Sequence, residues 1–419
     1  MTCCDKKTLE PPLTNGYLML RMFVITLLMV TASSVRSEEP SSAQTALNRA
    51  VEYLWSQQHD DGSWRSEQYA VLRGGSALTP FVLHTLLGGI EKLNSHDQTN
   101  ARRAVDVIVA HLDADGALGR TDPDILEYPV YSTAYAVLAL NRFQGFHFLL
   151  GPEGNDHIRR MQGFLKASQL TEKTGFSSYM PAYGGWGFDE PQEPGVPGHM
   201  DLAHTRRAIQ ALAVTNQFLQ RDTEFLVSIA DHAQHFLRVV QKHSAAVAPQ
   251  PNTNILSCAS APAPPFDGGF YFSPVVLTAN KGREETTDDG ATFFRSYSTA
   301  TCDGILALLA AGVHKDDQRI TAAVAWLGKH TDLDYPQGVP TDHPEPWGAA
   351  IRYYHYAVRA EVYRALNFPA ADREALGAAV AKLQRPDGSF ANTESPLMKE
   401  DDPILATALA VIALSECQR

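Results

Sequence analysis

At 419 residues and 44% hydrophobic, the chain is long enough to bury a sizeable core. A formal net charge of -12, with no basic stripe to neutralise phosphates, excludes a nucleic-acid partner. Of five cysteines, Cys3 and Cys4 lie at the extreme N-terminus; Cys258, Cys302 and Cys417 are too few and too dispersed for a disulfide framework, although one bridge is possible.

Residues 1–37 read as an export signal. Arg21 precedes the apolar run Met22-Phe23-Val24-Ile25-Thr26-Leu27-Leu28-Met29-Val30, small residues follow, and Val35-Arg36-Ser37 offers a cleavage site. The run is short for a membrane span. The expected location is therefore periplasmic or secreted. The alternative is an uncleaved segment that anchors the chain, the one route to membrane association. Residues 38–45 are polar, rich in Ser and Glu, and read as a flexible lead-in to a body over 46–419.

Six helix pairs follow. Their first members are expected over 46–58, 100–112, 156–168, 223–242, 317–330 and 372–383, and their second members over 78–87, 131–143, 201–219, 298–311, 353–366 and 403–416. First members carry a wet face, marked by Arg102, Arg103, Asp106, Arg159 and Arg160. Second members are nearly apolar all round, as in residues 404–414, so they must be covered on most sides. A turn phrase punctuates the pairs. Gln57-Gln58-His59-Asp60-Asp61-Gly62-Ser63-Trp64 returns as Gln384-Arg385-Pro386-Asp387-Gly388-Ser389-Phe390, with a shorter echo at Asp115-Gly116 and aromatic variants at residues 183–188 and 266–271. This pattern predicts an all-α, six-fold α/α toroid, with first members outside and second members inside.

Connections from inner to outer helix are short, and those from outer to inner are long, notably 169–200 and 243–297. All long loops then fall on one rim, where function is expected. The inner helices also begin there, and their free N–H groups favour a negatively charged head group with an apolar tail below it.

The repeats Gln57…Asp61-Gly62-Ser63-Trp64 and Gln384…Asp387-Gly388-Ser389-Phe390 resemble the QW repeats of squalene and related triterpene cyclases. The helix-pair plan is similar to that of protein prenyltransferase β subunits. Residues 183–188, Asp201…His204-Thr205, 268–274, Arg295-Ser296-Tyr297-Ser298 and Tyr353-Tyr354-His355-Tyr356 resemble bacterial prenyltransferase and squalene-oxidase repeat proteins. The resemblance spans residues 46–417 and implies a terpenoid-cyclase-like toroid that binds or transforms a small apolar, isoprenoid-type ligand. It departs from the catalytic patterns. The D-x-D-D of class II cyclases is nearest to Lys399-Glu400-Asp401-Asp402, and the prenyltransferase zinc pattern is not reproduced. The alternative is a non-catalytic exported binding or scaffold protein, and architecture alone also allows a carbohydrate-active enzyme.

Several groups are candidates for chemistry. Asp401 and Asp402 could present a protonated acid to an alkene, or Asp402 could simply cap a helix with Pro403 at its first position. Asp201 and His204, three residues apart, share a helix face and form an acid–base or metal pair, or else a cap and a hydrogen-bonded histidine. Cys302, Asp303 and His355 lie on adjacent inner helices and make a donor set that suits zinc, a cofactor that export disfavours. Trp347, Tyr353, Tyr354, Tyr356 and Tyr297 are the expected substrate-binding aromatics, whose faces attract cations.

Overall fold

The computed structural model describes residues 42–90, 92–122, 124–146, 151–219, 223–244, 266–286, 288 and 292–419. The expected signal segment and Cys258 lie outside them. The body is built from helices α1 (Ser42–Ser56), α2 (Leu78–Gly89), α3 (Ser95–Ala110), α4 (Pro129–Gly145), α5 (Gly151–Ala167), α6 (Leu202–Leu219), α7 (Thr223–Val240), α8 (Ser298–Ala310), α9 (Gln318–Leu327), the short α10 (Trp347–Ala350), α11 (Arg352–Ala365), α12 (Ala370–Ala381) and α13 (Pro403–Gln418). All six expected pairs are present. Residues 42–45 of the expected lead-in are already helical. Helix α3 begins a turn earlier than its apolar pattern, because the Asn94 side chain accepts the Asp97 N–H at 2.9 Å and caps a polar first turn.

Helices α2, α4, α6, α8, α11 and α13 pack successively on one another, and α13 returns to α2, so the inner ring is closed. Helices α1, α3, α5, α7, α9 and α12 lie outside it. The inner helices are apolar all round because they are covered on most sides: in α13 every residue from Ala406 to Ser415 is buried. Two short antiparallel pairs decorate the long loops. Trp186–Gly187 (β1) pairs with Met200–Asp201 (β2), Trp186 opposite Asp201, and Glu284–Thr286 (β3) pairs with Thr292–Phe294 (β4). Among the described residues no helix is long and apolar enough to cross a membrane.

The recurring phrase is a seam. A glutamine at the end of an outer helix donates both to its own turn glycine carbonyl and to the next outer helix. Gln58 bonds Gly62 O and Asn100 O, both at 2.9 Å; Gln169 bonds Gly184 O and Ile229 O; Gln241 bonds Gly268 O and Arg319 O. Gln384 bonds Gly388 O at 3.0 Å and Ala46 O at 2.7 Å, which joins the last outer helix to the first. The glutamine equivalent to Gln384 is thus Gln58, not Gln57. The glycines need positive φ (94° at Gly62, 90° at Gly388), and a Cβ on either would meet the backbone of the next outer helix at 2.7 Å. Two residues past each glycine, a backbone N–H reaches into the inner ring: Trp64, Leu118, Trp186, Phe270 and Phe390 donate to Thr79, Thr133, Thr205, Thr301 and Thr407 Oγ1. The buried Trp64 and Trp186 ring N–H groups end on Leu54 O and Leu165 O.

Candidate functional site

The inner helices enclose a cavity of about 670 Å³ at the ends where they begin. Leu78 and Phe81 of α2, Tyr131 and Ser132 of α4, Ala203 and His204 of α6, Thr299 of α8, Tyr354 of α11, and Leu405 and Leu409 of α13 line it. The long loops complete it with Tyr128, Phe188, His199, Asp201, Phe272, Lys281, Tyr297, Trp347, Lys399 and Glu400. The walls are mainly apolar and aromatic. The charged and polar groups stand at its loop end, which is the arrangement of a ligand site.

Asp201 precedes α6 and is 2% exposed. Its Oδ1 accepts the His204 backbone N–H at 2.9 Å, and its Oδ2 accepts His204 Nδ1–H at 2.9 Å; His199 Nε2 lies 3.5 Å from the same oxygen. Burial opposes the charge, but His204 and these hydrogen bonds win and hold the carboxyl well below the usual carboxylate range. The bond fixes the proton on His204 Nδ1 and leaves the buried Nε2 with no hydrogen-bond partner. The ring sits between Tyr131 and Phe188, with centroids at 5.4 and 5.9 Å. The expected cap and the expected acid–base pair are therefore the same residues.

Glu400 is the cavity's second carboxyl, 2% exposed. It accepts the Tyr353 and Tyr354 N–H groups at 2.8 Å and Asn392 Nδ2 at 3.3 Å, and so closes the N-terminus of α11. Burial nevertheless pushes it up to about 8, against the pull of those three bonds. Burial thus favours its protonated form, and the three N–H donors favour the carboxylate.

The acids that flank Glu400 do not line the cavity. Asp402 is the N-cap of α13, accepting Ile404 N–H at 2.9 Å and Leu405 N–H at 3.0 Å, with Pro403 at the first helical position. Asp401 accepts the Tyr69 hydroxyl at 2.5 Å. Both are committed to structure, and the acid that reaches the ligand space is their neighbour.

Of the expected aromatics, Trp347, Tyr354 and Tyr297 line the cavity. Tyr353 and Tyr356 do not: the Tyr353 hydroxyl donates to Ala391 O at 3.4 Å and that of Tyr356 to Asp334 at 3.3 Å. Residues 353 to 356 are helical, so consecutive side chains point about 100° apart and only one of the three tyrosines faces inward.

Cys302, Asp303 and His355 are not brought together on one ion, and among the described residues no group of three metal-ligating side chains is. Asp303 accepts Arg206 Nη1 at 2.7 Å and the Tyr354 hydroxyl at 2.8 and 2.9 Å. His355 holds the fourth position of α11, where α6 and α8 carry the seam threonines Thr205 and Thr301, and its Nδ1 lies 3.3 Å from Ser298 Oγ. Burial takes His355 down to about 3 and the Cys302 thiol up to about 12, so neither bears charge at neutral pH.

One turn along α8 from the cavity-lining Thr299, Asp303 opens a buried charge network. Arg206 also reaches Glu361 at 2.5 Å, Arg207 lies 3.2 Å from Glu361, and Arg207 stacks over Tyr135. Buried charges are tolerated only when paired in this way.

Two cavity groups were not legible as site residues. Lys281 follows a clamp in which Asn280 Oδ1 accepts the Phe272 and Ser273 N–H groups while its Nδ2 donates to Ser273 O at 2.7 Å. Glu400 precedes an obvious helix start and so reads as part of it.

No family model and no curated protein matches the chain. Solved structures do. The type II terpene cyclase MstE from Scytonema, bound to geranylgeranyl dihydroxybenzoate, superposes with a TM-score of 0.51 at 14% identity over 90% of this chain and 97% of its own. A protein from Actinoplanes matches at 0.52 and 16% identity over 90% of this chain and 100% of its own. The GH76A α-1,6-mannanase from Salegentibacter sp. HEL1_6 matches at 0.52 and 12% identity over 89% and 98%. The chain shares its α/α toroid fold with a type II terpene cyclase and with an α-1,6-mannanase.

Proposed function

We propose that this chain is an exported terpenoid-cyclase-like protein that takes an isoprenoid-type apolar ligand into its cavity and starts acid–base chemistry on it from Glu400. The observation that carries this reading is a buried carboxyl, its hold on a proton strengthened by burial, opening onto an apolar, aromatic-walled space. Glu400 gives its proton to an alkene carbon. The carboxylate left behind is held by the Tyr353 and Tyr354 N–H groups at the start of α11. The carbocation lies against ring faces such as those of Tyr131, Phe188 and Phe272. His204 Nε2, whose partner nitrogen is fixed by Asp201, accepts a proton from the cation and leaves a new alkene. The product is an isomer of the substrate, with no net gain or loss of atoms. The apolar walls favour this over a polysaccharide substrate.

A second reading is uptake and release without conversion. It is favoured by the hydrogen bonds that already engage both Glu400 oxygens. In either reading the chain works outside the cytoplasm, a proposal supported by the apolar run in residues 22–30.

Incubation of the purified protein with a membrane lipid extract, followed by native mass spectrometry and chromatography of the released ligand, separates the two. A bound polyprenyl or triterpenoid mass released as a new isomer supports conversion. The same mass released unchanged supports carriage. A bare polypeptide mass overturns both.

A further inference from the structure

Among the described residues, Lys281 is the buried cation of the cavity wall with no carboxylate beside it. It is 8% exposed, and its ammonium sits over the rings of Phe272 at 5.0 Å and Trp347 at 5.2 Å. Among the described residues its one hydrogen bond goes to Ala279 O at 3.3 Å, and no carboxylate lies within 4.0 Å of Nζ. An ammonium has three donors, so two remain to be met, and a buried cation without an anion is costly.

The protein's nearby anions are already spent. Asp201 is occupied by His204 and His199, and Asp303 by Arg206 and Tyr354. Both still pull on Lys281 at longer range, while burial brings it down to about 8. Lys399, Glu400, the two histidines and the tyrosines Tyr128, Tyr131, Tyr297 and Tyr354 are the other titratable groups around the same space. The Asn280 clamp and Gly282, where a Cβ would come within 2.5 Å of Arg295 O, hold the lysine in place before any ligand arrives.

We propose that Lys281 receives the anionic head of the cavity ligand, which makes that ligand an apolar, isoprenoid-type carboxylic acid. This rests on the reading that the cavity takes an isoprenoid. Two ligand oxygens would use the two free donors, and the chain would run from Lys281 along the aromatic wall. A carboxylate fits better than a diphosphate. Lys281 is the buried ammonium of this space and matches a single negative charge, whereas a diphosphate calls for several cations gathered at one point or a metal. Lys399, the second lysine of the wall, is half-buried over the rings of Tyr69 and Tyr128.

Titration calorimetry with geranylgeranoic acid, geranylgeraniol and geranylgeranyl diphosphate tests this. At about pH 6.5 the protein is expected to bind the acid about tenfold or more tighter than the alcohol, and no weaker than the diphosphate, since one charge-assisted pair is worth at least that factor. Lys281→Met is expected to bind acid and alcohol alike, and Lys281→Arg to keep the preference. Above about pH 9 the preference falls as Lys281 loses its proton. It also falls in Glu400→Gln, which removes the competing effect of Glu400 ionising over the same range. Equal binding of acid and alcohol by the wild type, or a preference retained in Lys281→Met, overturns the inference while leaving isoprenoid binding intact. If none of the three compounds binds, the functional reading falls and the inference falls with it. If Lys281→Met fails to fold, Lys281→Arg and the pH series decide.

Discussion

His204 donates to Asp201 twice, from its backbone N–H and from ring Nδ1, each at 2.9 Å. One carboxylate thus starts helix α6 and sets the tautomer of a cavity histidine. Asp201→Asn replaces an anion by an amide that cannot accept both bonds with the same strength. The expected loss is about 2–4 kcal/mol at pH 7, the range for breaking a buried charged hydrogen-bond pair. The sign with pH follows from the depressed carboxyl. Its contribution is present above the unfolded value of 3.8 and is lost as pH falls through the lower folded value. Urea denaturation should show a wild-type advantage at neutral pH that shrinks below about pH 4. An advantage that persists unchanged into acid would mean that Asp201 is not ionised in the folded protein.

Glu400 has the opposite sign. Its folded carboxyl, at about 8, lies above the unfolded 4.5. The stability it adds is complete below 4.5 and is lost as pH rises to about 8. Thermal denaturation from acid to alkaline pH should therefore show a decline over that window in the wild type and a flatter profile in Glu400→Gln. Parallel profiles would remove Glu400 as the proton donor, because a carboxylate already ionised at neutral pH has no proton to give.

The ring closes through Gln384, whose amide reaches Ala46 O on the first outer helix, and through Gly388, packed on Arg49. Gln384→Ala removes two bonds from a seam and should cost about 1–3 kcal/mol. Gly388→Ala should cost more, since a Cβ at positive φ would also meet Arg49 O at 2.7 Å. Proteolysis is expected to cut the α1 region first in both variants. Loss of stability with no change at α1 would mean that the ends of the toroid hold together by other contacts.

The architecture was readable because each level repeats. Outer helices show one apolar stripe, inner helices are apolar throughout, and the Asp-Gly turns fall between them, so the toroid and its rim follow from spacing alone. The site was readable only where chemistry coincided with that spacing. Asp201 and His204 sit one turn apart on an inner helix start and were found. Glu400 was passed over for Asp401 and Asp402, because a cap signature marks Asp402 and nothing in the sequence tells which of three adjacent acids turns inward. Lys281 lies in a long loop, where side-chain direction comes from the Asn280 clamp rather than from any period. His355 reads as a ligand because Cys302 and Asp303 lie on the adjacent inner helix; it occupies the place that threonine fills in the neighbouring repeats.

Asp303 links the cavity to the charges behind it. The Tyr354 hydroxyl, from a residue that lines the cavity, donates to the carboxylate that also holds Arg206. Asp303→Asn leaves the fully buried Arg206 with Glu361 alone, and Glu361 must also serve Arg207. Three charges then share what four had balanced. The expected cost is about 3–5 kcal/mol, as for other buried pairs broken on one side. Arg206→Met with Asp303→Leu removes both members together and should be milder than the sum of the two single changes, since neither charge is left alone. A double-mutant cycle by chemical denaturation measures the difference. The same variants should loosen Tyr354 and weaken ligand binding beyond what global stability explains, because the ring loses the partner that fixes its place in the wall. If the cycle is additive, the Arg206–Asp303 contact contributes no coupling, and the cavity wall is set by packing alone.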